Sequence, residues 1–218
     1  MRIAAISDLH GYLPEIPECD VLVVAGDLGP ARRWYHKGMS EAKHWLSLDF
    51  TRWLNLVPAK HIVGIAGNHD FVAEHHPDLM DSLPWNYLCD SSVTIEGVKF
   101  WGSPYTPPFN NWAFNDEDPA RWDGIPSDVD IVVTHGPPLG IADRTVGGLN
   151  VGSSSLKAWM NVWDQQGLHL FGHIHECHGQ KGEWWANVSY VNERYEPSGD
   201  KIFTKTILVP TTPEATNG

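Results

Sequence analysis

Short, continuous runs of apolar residues recur along the chain, and each run stops at a small cluster of Asp, His, Asn and Gly. Continuous apolar runs are typical of strands that are buried on both faces, whereas half-exposed strands alternate. The pattern therefore predicts interior strands of layered α/β sheets. The five runs, each with its cluster, are Ile3–Ile6 before DLHG, Val21–Ala25 before GDLG, Ile62–Ala66 before GNHD, Ile131–Val133 before THG, and Leu168–Phe171 before GHIH.

The placement of the polar clusters after predicted strands has a consequence for the position of a functional site. In layered α/β sheets, ligands bind beyond the carboxyl ends of the strands. If the five clusters lie at the same edge of the sheets, side chains that are far apart in sequence converge there. We therefore expect one site built from all five clusters.

Two stretches between the strands have helical periodicity. In Ser155–Gln166, four large apolar residues follow the spacing i, i+3, i+4 and i+7, with Ser154 or Ser155 as the N-cap and Gly167 at the end. A second helix is predicted over Ser40–Val57, although its apolar stripe is less regular. We expect the aromatic residues of both helices to pack in the core.

A segment rich in Pro, Asn and aromatic residues runs from Gly102 to Arg121. Long irregular segments within compact domains are usually functional or mobile. This loop could form one wall of a substrate cleft, or it could be a surface loop packed by its own side chains.

The sequence predicts a single domain over residues 1–210 and a disordered polar tail over 211–218.

Composition and charge narrow the classes of partner. The 218 residues include 27 acidic and 15 basic side chains, for a net charge of -12, and no dense basic run. A long nucleic-acid duplex is therefore an unfavourable partner.

Three widely spaced cysteines indicate no disulfide framework, so a reducing cytoplasm is expected. We find neither a signal-peptide pattern nor an apolar stretch of about 18 residues, so no membrane association is expected. The oligomeric state stays open.

Seven candidate ligands in the clusters offer two carboxylates, one amide and four imidazoles, a mixed oxygen and nitrogen set that suits first-row divalent metals. Seven ligands are too many for one ion, whereas two ions that share a carboxylate would use them all. Asp27 is the natural bridge because Gly26 and Gly29 flank it and let the backbone turn closely around it. The seven candidate ligands are Asp8, His10, Asp27, Asn68, His135, His173 and His175.

The ordered strings DLHG, GDLG, GNHD, THG and GHIH resemble the calcineurin-like metallophosphoesterase superfamily. The resemblance implies a four-layer αββα sandwich of two mixed sheets flanked by helices, with two metals at one sheet edge. It also implies a catalytic role for His69, as a non-ligand that stabilises the transition state or protonates the leaving oxygen. The implied ligands are Asp8, His10 and His175 for the first metal and Asn68, His135 and His173 for the second, with Asp27 bridging.

The longer strings GSPYTPPFNNWAFN, THGPPLG and FGHIHE are most similar to the metallophosphoesterase-domain-containing group. That resemblance implies hydrolysis of phosphodiesters by in-line attack of a metal-bridging hydroxide on a small phosphate ester. The chain carries GDLG and GNHD where protein serine/threonine phosphatases carry GDxVDRG and GNHE, which argues against that class. Phosphomonoesterase, short-strand nuclease and non-catalytic binding scaffold stay as alternatives. The metals could be manganese, iron, zinc, nickel or cobalt.

Overall fold

The computed structural model describes residues 1–30, 38–116, 118–163, 167–199 and 202–209. The predicted domain boundary at residue 210 and the predicted tail lie outside these residues. Within them, ten strands form two five-stranded sheets. All five predicted strands are present, although the third ends at Ile65 rather than Ala66.

The first sheet has the strand order β10-β1-β2-β3-β4. Strands β1 to β4 are parallel to their neighbours, and β10 is antiparallel to β1, which makes the sheet mixed. The three long parallel strands therefore end at one edge. The strand bounds are β1 Arg2–Ile6, β2 Cys19–Ala25, β3 Ala59–Ile65, β4 Asn86–Tyr87 and β10 Phe203–Thr206.

The second sheet has the order β5-β6-β7-β8-β9. Here β5 and β6 form an antiparallel pair, and β6 to β9 are parallel, so this sheet is also mixed. Its parallel strands likewise end at a common edge. The strand bounds are β5 Ser91–Ile95, β6 Val98–Ser103, β7 Ile131–Thr134, β8 Leu168–Phe171 and β9 Trp185–Asn187.

Successive residues of the central strands enter different cores, because strand side chains alternate between the two faces of a sheet. In β1, Ile3 packs between the sheets, whereas Ala4 packs toward the helices on the outer side. In β7, Val133 faces the inter-sheet core and Val132 faces a third core beneath the outer helix. Three cores separate four layers, which confirms the predicted αββα sandwich.

The helix predicted over Ser40–Val57 is present as α1 (Met39–Trp45), a π turn (Leu46–Phe50) and α2 (Thr51–Leu56). A π turn adds residues to one turn, which accounts for the irregular apolar stripe. Phe50 is fully buried and stacks on Trp45 and Trp53, so the expectation of core aromatics is confirmed in this helix. Two short helices, α3 (Phe71–His75) and α4 (Pro77–Asp81), follow β3.

Residues 164–166 of the helix predicted over Ser155–Gln166 lie outside the described residues, and the described part ends earlier than expected. Helix α5 spans Ser154–Val162, and Trp163 already has an extended backbone, so Gly167 does not cap it. The hydroxyl of Ser153, rather than that of Ser154 or Ser155, accepts the capping hydrogen bond from the Leu156 N–H. The apolar spacing continues past the point where the backbone leaves the helical conformation, which is why periodicity overestimated the length.

No helix among the described residues is long and apolar enough to cross a membrane.

Candidate metal centre

The polar clusters converge at the carboxyl edge of both sheets. Asp8, Asp27 and Asn68 follow β1, β2 and β3 of the first sheet, and His135 and His173 follow β7 and β8 of the second. Backbone hydrogen bonds join the two edges, such as the one from the Ser7 N–H to the Val188 carbonyl at 2.9 Å. A parallel bridge between Ser7 and Ser189 joins the sheets themselves. Parallel strand polarity therefore brings the clusters together.

Two motif glycines make room for the carboxylates. A Cβ atom on Gly172 would lie 2.1 Å from Asp8 Oδ2, and one on Gly67 would lie 2.3 Å from Asp27 Oδ1. Either contact is far inside van der Waals distance. The glycines of GHIH and GNHD are thus required by the carboxylates of the other motifs.

Four of the candidate ligands have left-handed backbone conformations. The φ angles are 54° at Asp8, 43° at His10, 54° at Asp27 and 67° at His173. Non-glycine residues rarely adopt this region, and strained backbones of this kind cluster at functional sites when the surrounding structure enforces them. Here backbone hydrogen bonds provide that enforcement, since Asp8 N–H donates to Gly26 O and His10 N–H donates to Asp27 O.

One group of donor atoms is formed by Asp8, His10, Asp27 and His175, whose ligand atoms lie within 4.8 Å of one another. His175 Nε2 is 3.1 Å from Asp8 Oδ1 and 3.2 Å from His10 Nε2. All four side chains are buried. Two imidazole nitrogens and two carboxylates thus face one point.

A second group is formed by Asn68, His135 and His173. His135 Nε2 is 2.8 Å from Asn68 Oδ1, and the rings of His135 and His173 are 5.0 Å apart. The carbonyl of Ala25 accepts a hydrogen bond from His135 Nδ1 at 2.9 Å, which turns Nε2 toward Asn68.

The carboxylate of Asp27 lies between the two groups. Its Oδ2 atom is 3.6 Å from His10 Nε2 in the first group, and its Oδ1 atom is 3.4 Å from His135 Nε2 in the second. The backbone N–H of His69 donates to Oδ1 at 2.8 Å and fixes the carboxylate plane. The structure therefore brings all seven predicted ligands to one place and puts the predicted bridge in the middle.

Burial and the charges of neighbouring groups act in opposite directions on the titratable residues of the site. Burial by itself would raise the pKa of Asp27, but the nearby histidines outweigh burial and hold that pKa well below its usual range. Asp8 behaves in the same way beside His175, so its pKa is also lowered. Conversely, burial would lower the pKa of His135, yet Asp27 and Asp8 raise it to about 9. At His10 and His173 burial outweighs the carboxylates and lowers the pKa to about 4 and about 3, so these rings are neutral, whereas a divalent cation would have to displace the proton of His135 in order to bind.

His69 lies in the wall of a cleft of about 260 Å³ that Asp27, Asn68, His173 and His175 also line. Its Nε2 atom is 3.8 Å from Asp27 Oδ2. Burial lowers the pKa of His69.

Within the predicted 102–121 loop, β6 extends to Ser103 and a 3₁₀ turn begins at Pro119, so the irregular part is shorter than expected.

Three functional-site residues were missed by sequence reasoning. The hydroxyl of Ser189 donates to Asp8 Oδ2 at 2.7 Å, although nothing in the surrounding sequence distinguishes it. The ring of Tyr195 lies 4.7 Å from that of His10 and 4.9 Å from that of His175. Asp70 was visible within GNHD, and it accepts hydrogen bonds from the N–H groups of Gly67 and Leu28, so it joins two of the clusters.

The donor set and its surroundings fit divalent cations. Carboxylate oxygens, imidazole nitrogens and an amide oxygen converge in a buried position, and backbone N–H groups and Ser189 orient the carboxylates from behind. Orientation of this kind by residues behind the ligands is characteristic of metal sites. The identity of each residue as a ligand stays a prediction.

Comparison with known proteins agrees with this architecture. The family model described as Calcineurin-like phosphoesterase matches residues 1–177. Metallophosphoesterase domain-containing protein 1 from Homo sapiens is 33% identical over 237 residues, which cover 92% of this chain and 69% of that protein. A UPF0046 protein from Caenorhabditis elegans is 30% identical over 229 residues, covering 95% of this chain and 74% of that protein.

Two further similarities extend the comparison. A probable rhamnogalacturonate lyase C from Emericella nidulans is 32% identical over 203 residues, which are 85% of this chain but only 18% of that protein. A solved structure that is 14% identical aligns with a TM-score of 0.57 over 88% of this chain and 91% of its own, and it supports the fold. On the family match and the identity to the human relative, the chain belongs to the calcineurin-like phosphoesterase family.

Proposed function

We propose that the protein is a dinuclear metal-dependent phosphoesterase that hydrolyses phosphodiesters. The observation that carries this proposal is the position of Asp27, whose two carboxylate oxygens face separate groups of donor atoms. Asp8, His10 and His175 would hold one cation, Asn68, His135 and His173 would hold the other, and Asp27 would bridge them. A binding scaffold has no need of such a set.

When bound, a pair of divalent cations would supply a water of lowered pKa as nucleophile and positive charge against the phosphoryl oxygens. The residues of this chain prepare the site for that chemistry. The His69 N–H holds Asp27, and the His173 N–H and Ser189 hold Asp8, so neither carboxylate has to reorient. The His69 side chain faces the cleft and would donate a hydrogen bond or a proton to the leaving oxygen.

The walls of the cleft favour a diester over a monoester. Phe109, Trp112 and Val151 provide an apolar lining, whereas Glu176 and Glu193 provide negative charge. Among the described lining residues there is no Lys or Arg to pair with the second negative charge of a monoester. A singly charged diester with an apolar substituent suits these walls better.

The proposal is tested by hydrolysis of bis(p-nitrophenyl) phosphate and of p-nitrophenyl phosphate, with metal-stripped protein before and after addition of Mn²⁺. We expect metal-dependent turnover that is faster on the diester. Asp27→Ala and His69→Ala should lower it by at least about 10²-fold, whereas the exposed Asp128→Asn should not change it. A fully metallated protein that turns over neither substrate would contradict the proposal and favour the scaffold.

The short-strand nuclease alternative uses the same centre, so it is separated by substrate rather than by mutation. Cleavage of a short single-stranded oligonucleotide at a higher kcat/KM than the aryl diester would favour it. Faster turnover of the monoester would favour a phosphomonoesterase. The native metals are identified by measuring which ions co-purify with the protein and which restore turnover.

A further inference from the structure

The loop that follows β6 carries the indole of Trp112 directly against the imidazole of His69. The ring centroids are 3.7 Å apart and the planes are 77° to one another, an edge-to-face contact. The ring of His10 lies 5.0 Å away and that of Tyr195 lies 6.3 Å away. Among these aromatic neighbours of His69, Trp112 is the nearest.

Packing, more than hydrogen bonding, defines the orientation of the His69 ring. The distance from His69 Nε2 to Asp27 Oδ2 is 3.8 Å, which is beyond hydrogen-bond distance. The backbone N–H of His69 is held by Asp27, but this contact leaves the side-chain torsions free. Among the described residues no hydrogen bond holds the imidazole, so packing against Trp112, its nearest aromatic neighbour, restricts the orientation of the ring.

The position of Trp112 is itself determined by hydrogen bonds on its C-terminal side. The N–H of Ala113 donates to the carbonyl of Asn68 at 3.0 Å, and the N–H of Phe114 donates to Glu74 Oε1 at 2.7 Å. Asn68 directly precedes His69 in the chain. The indole and the imidazole are thus mounted on two backbones that are hydrogen-bonded to each other.

The loop is also anchored at its base. Arg121 forms ion pairs with Asp116 and Asp90, and its guanidinium lies 3.3 Å from the centroid of the Tyr105 ring. The amide of Asn115 donates to the carbonyls of Phe109 and Asn110 and closes the tip. These contacts hold the loop in the position that places Trp112 against His69.

We propose that Trp112 is a positioning residue for His69, and this inference rests on the proposed function. The proton or hydrogen bond that His69 gives to the leaving oxygen requires a heavy-atom distance of about 2.6 to 3.2 Å. A displacement of about 1 Å can cost on the order of 10²-fold in rate. Trp112 keeps the imidazole within this tolerance, and its removal should lower kcat more than it raises KM.

The size of the loss should depend on the leaving group. A p-nitrophenolate departs without much help from an acid, whereas a phenolate needs a proton or a hydrogen bond as the ester bond breaks. Trp112→Ala should therefore lower kcat about 10- to 100-fold for methyl phenyl phosphate and much less for methyl p-nitrophenyl phosphate. Trp112→Phe retains an aromatic edge and should restore most of the loss.

The test compares the wild type, Trp112→Ala, Trp112→Phe, His69→Ala and the double variant on both methyl aryl diesters. The ratio of the two kcat values is the decisive quantity, because it does not depend on the fraction of protein that is folded or metallated. We expect the ratio to change in Trp112→Ala, to recover in Trp112→Phe, and to be the same in His69→Ala with or without the second substitution.

Trp159→Ala is the matched control, since Trp159 is a half-buried tryptophan on α5 that stacks on Trp163 at 5.3 Å and lies outside the cleft. Its ratio should equal that of the wild type. Two results with an active wild type would overturn this inference and leave the proposed function standing. One is a kcat ratio that Trp112→Ala does not change, and the other is a ratio that Trp112→Ala changes further in the His69→Ala background. A metallated wild type that is inactive on every phosphate ester would overturn the proposed function as well.

Discussion

Removing the hydroxyl of Ser189 should weaken the metal centre without disturbing the fold. Ser189 is buried, and its Oγ donates to Asp8 Oδ2 at 2.7 Å, while the other oxygen of Asp8 lies 3.1 Å from His175 Nε2. The hydroxyl thus holds the carboxylate so that Oδ1 faces the proposed cation. Ser189→Ala leaves the His173 N–H as the remaining donor to Oδ2 and removes the hydrogen bond from one lone pair of that oxygen, so the carboxylate is held less firmly.

The expected magnitude follows from the charge of the acceptor. A hydrogen bond to a charged group contributes about 1.5 to 3 kcal/mol, and about 1.4 kcal/mol corresponds to a tenfold change in affinity. Ser189→Ala should therefore bind the metal about 10- to 100-fold more weakly, in the range typical of residues that orient metal ligands. Ser189→Thr retains the hydroxyl and should lose less.

The assay is competition between the metal-stripped protein and a chromophoric chelator for Zn²⁺ or Mn²⁺ at constant pH. Ser82→Ala is the control, because Ser82 is exposed and its hydroxyl donates to the Leu79 carbonyl, away from the site. In an Asp8→Asn background the effect of Ser189→Ala should shrink, since the acceptor is no longer charged. A folded Ser189→Ala protein that binds metal within twofold of the wild type would contradict this role of the hydroxyl.

Three further predictions concern the same framework. Gly172→Ala should unfold the protein or abolish metal binding, because its Cβ would lie 2.1 Å from Asp8 Oδ2. Gly124→Ala is the control, since its Cβ would meet open space, and it should leave thermal stability and metal affinity unchanged. Normal metal affinity in Gly172→Ala would show that the Asp8 carboxylate does not need a glycine beside it. Burial lowers the pKa of His169 from 6.5 to about 3, so folding below pH 6.5 releases its proton, and the free energy of unfolding should fall as the pH drops from about 6.5 toward 3, by about 1.4 kcal/mol per unit of pKa shift. His169→Gln should reduce this loss in denaturant unfolding between pH 7 and pH 4. If the variant and the wild type show the same pH dependence, His169 is not its source. Saturating metal at about 100 times its dissociation constant should stabilise the native state by about 2.7 kcal/mol and raise Tm in a calorimeter, and Asp27→Asn should lose most of that gain.

The central strands could be predicted from the sequence because the burial of a strand on both faces leaves a pattern in consecutive residues. Continuous apolar runs such as Val21–Ala25 mark strands that are buried on both faces, and the position of Asp27 after one of them follows from chain connectivity. The length of α5 could not be obtained in this way. Its apolar spacing continues through Trp163, but the backbone there turns extended, and periodicity does not report on backbone torsion.

The family of the chain and the chemical types of the candidate ligands can be read from the sequence alone, because the ordered motifs carry both in contiguous strings. The contacts around these ligands depend instead on the three-dimensional fold. Ser189 reaches Asp8 across 181 positions of sequence, and Trp112 reaches His69 from a loop whose role was ambiguous. Such contacts depend on how the two sheets meet at their carboxyl edges, and no local pattern encodes that distance.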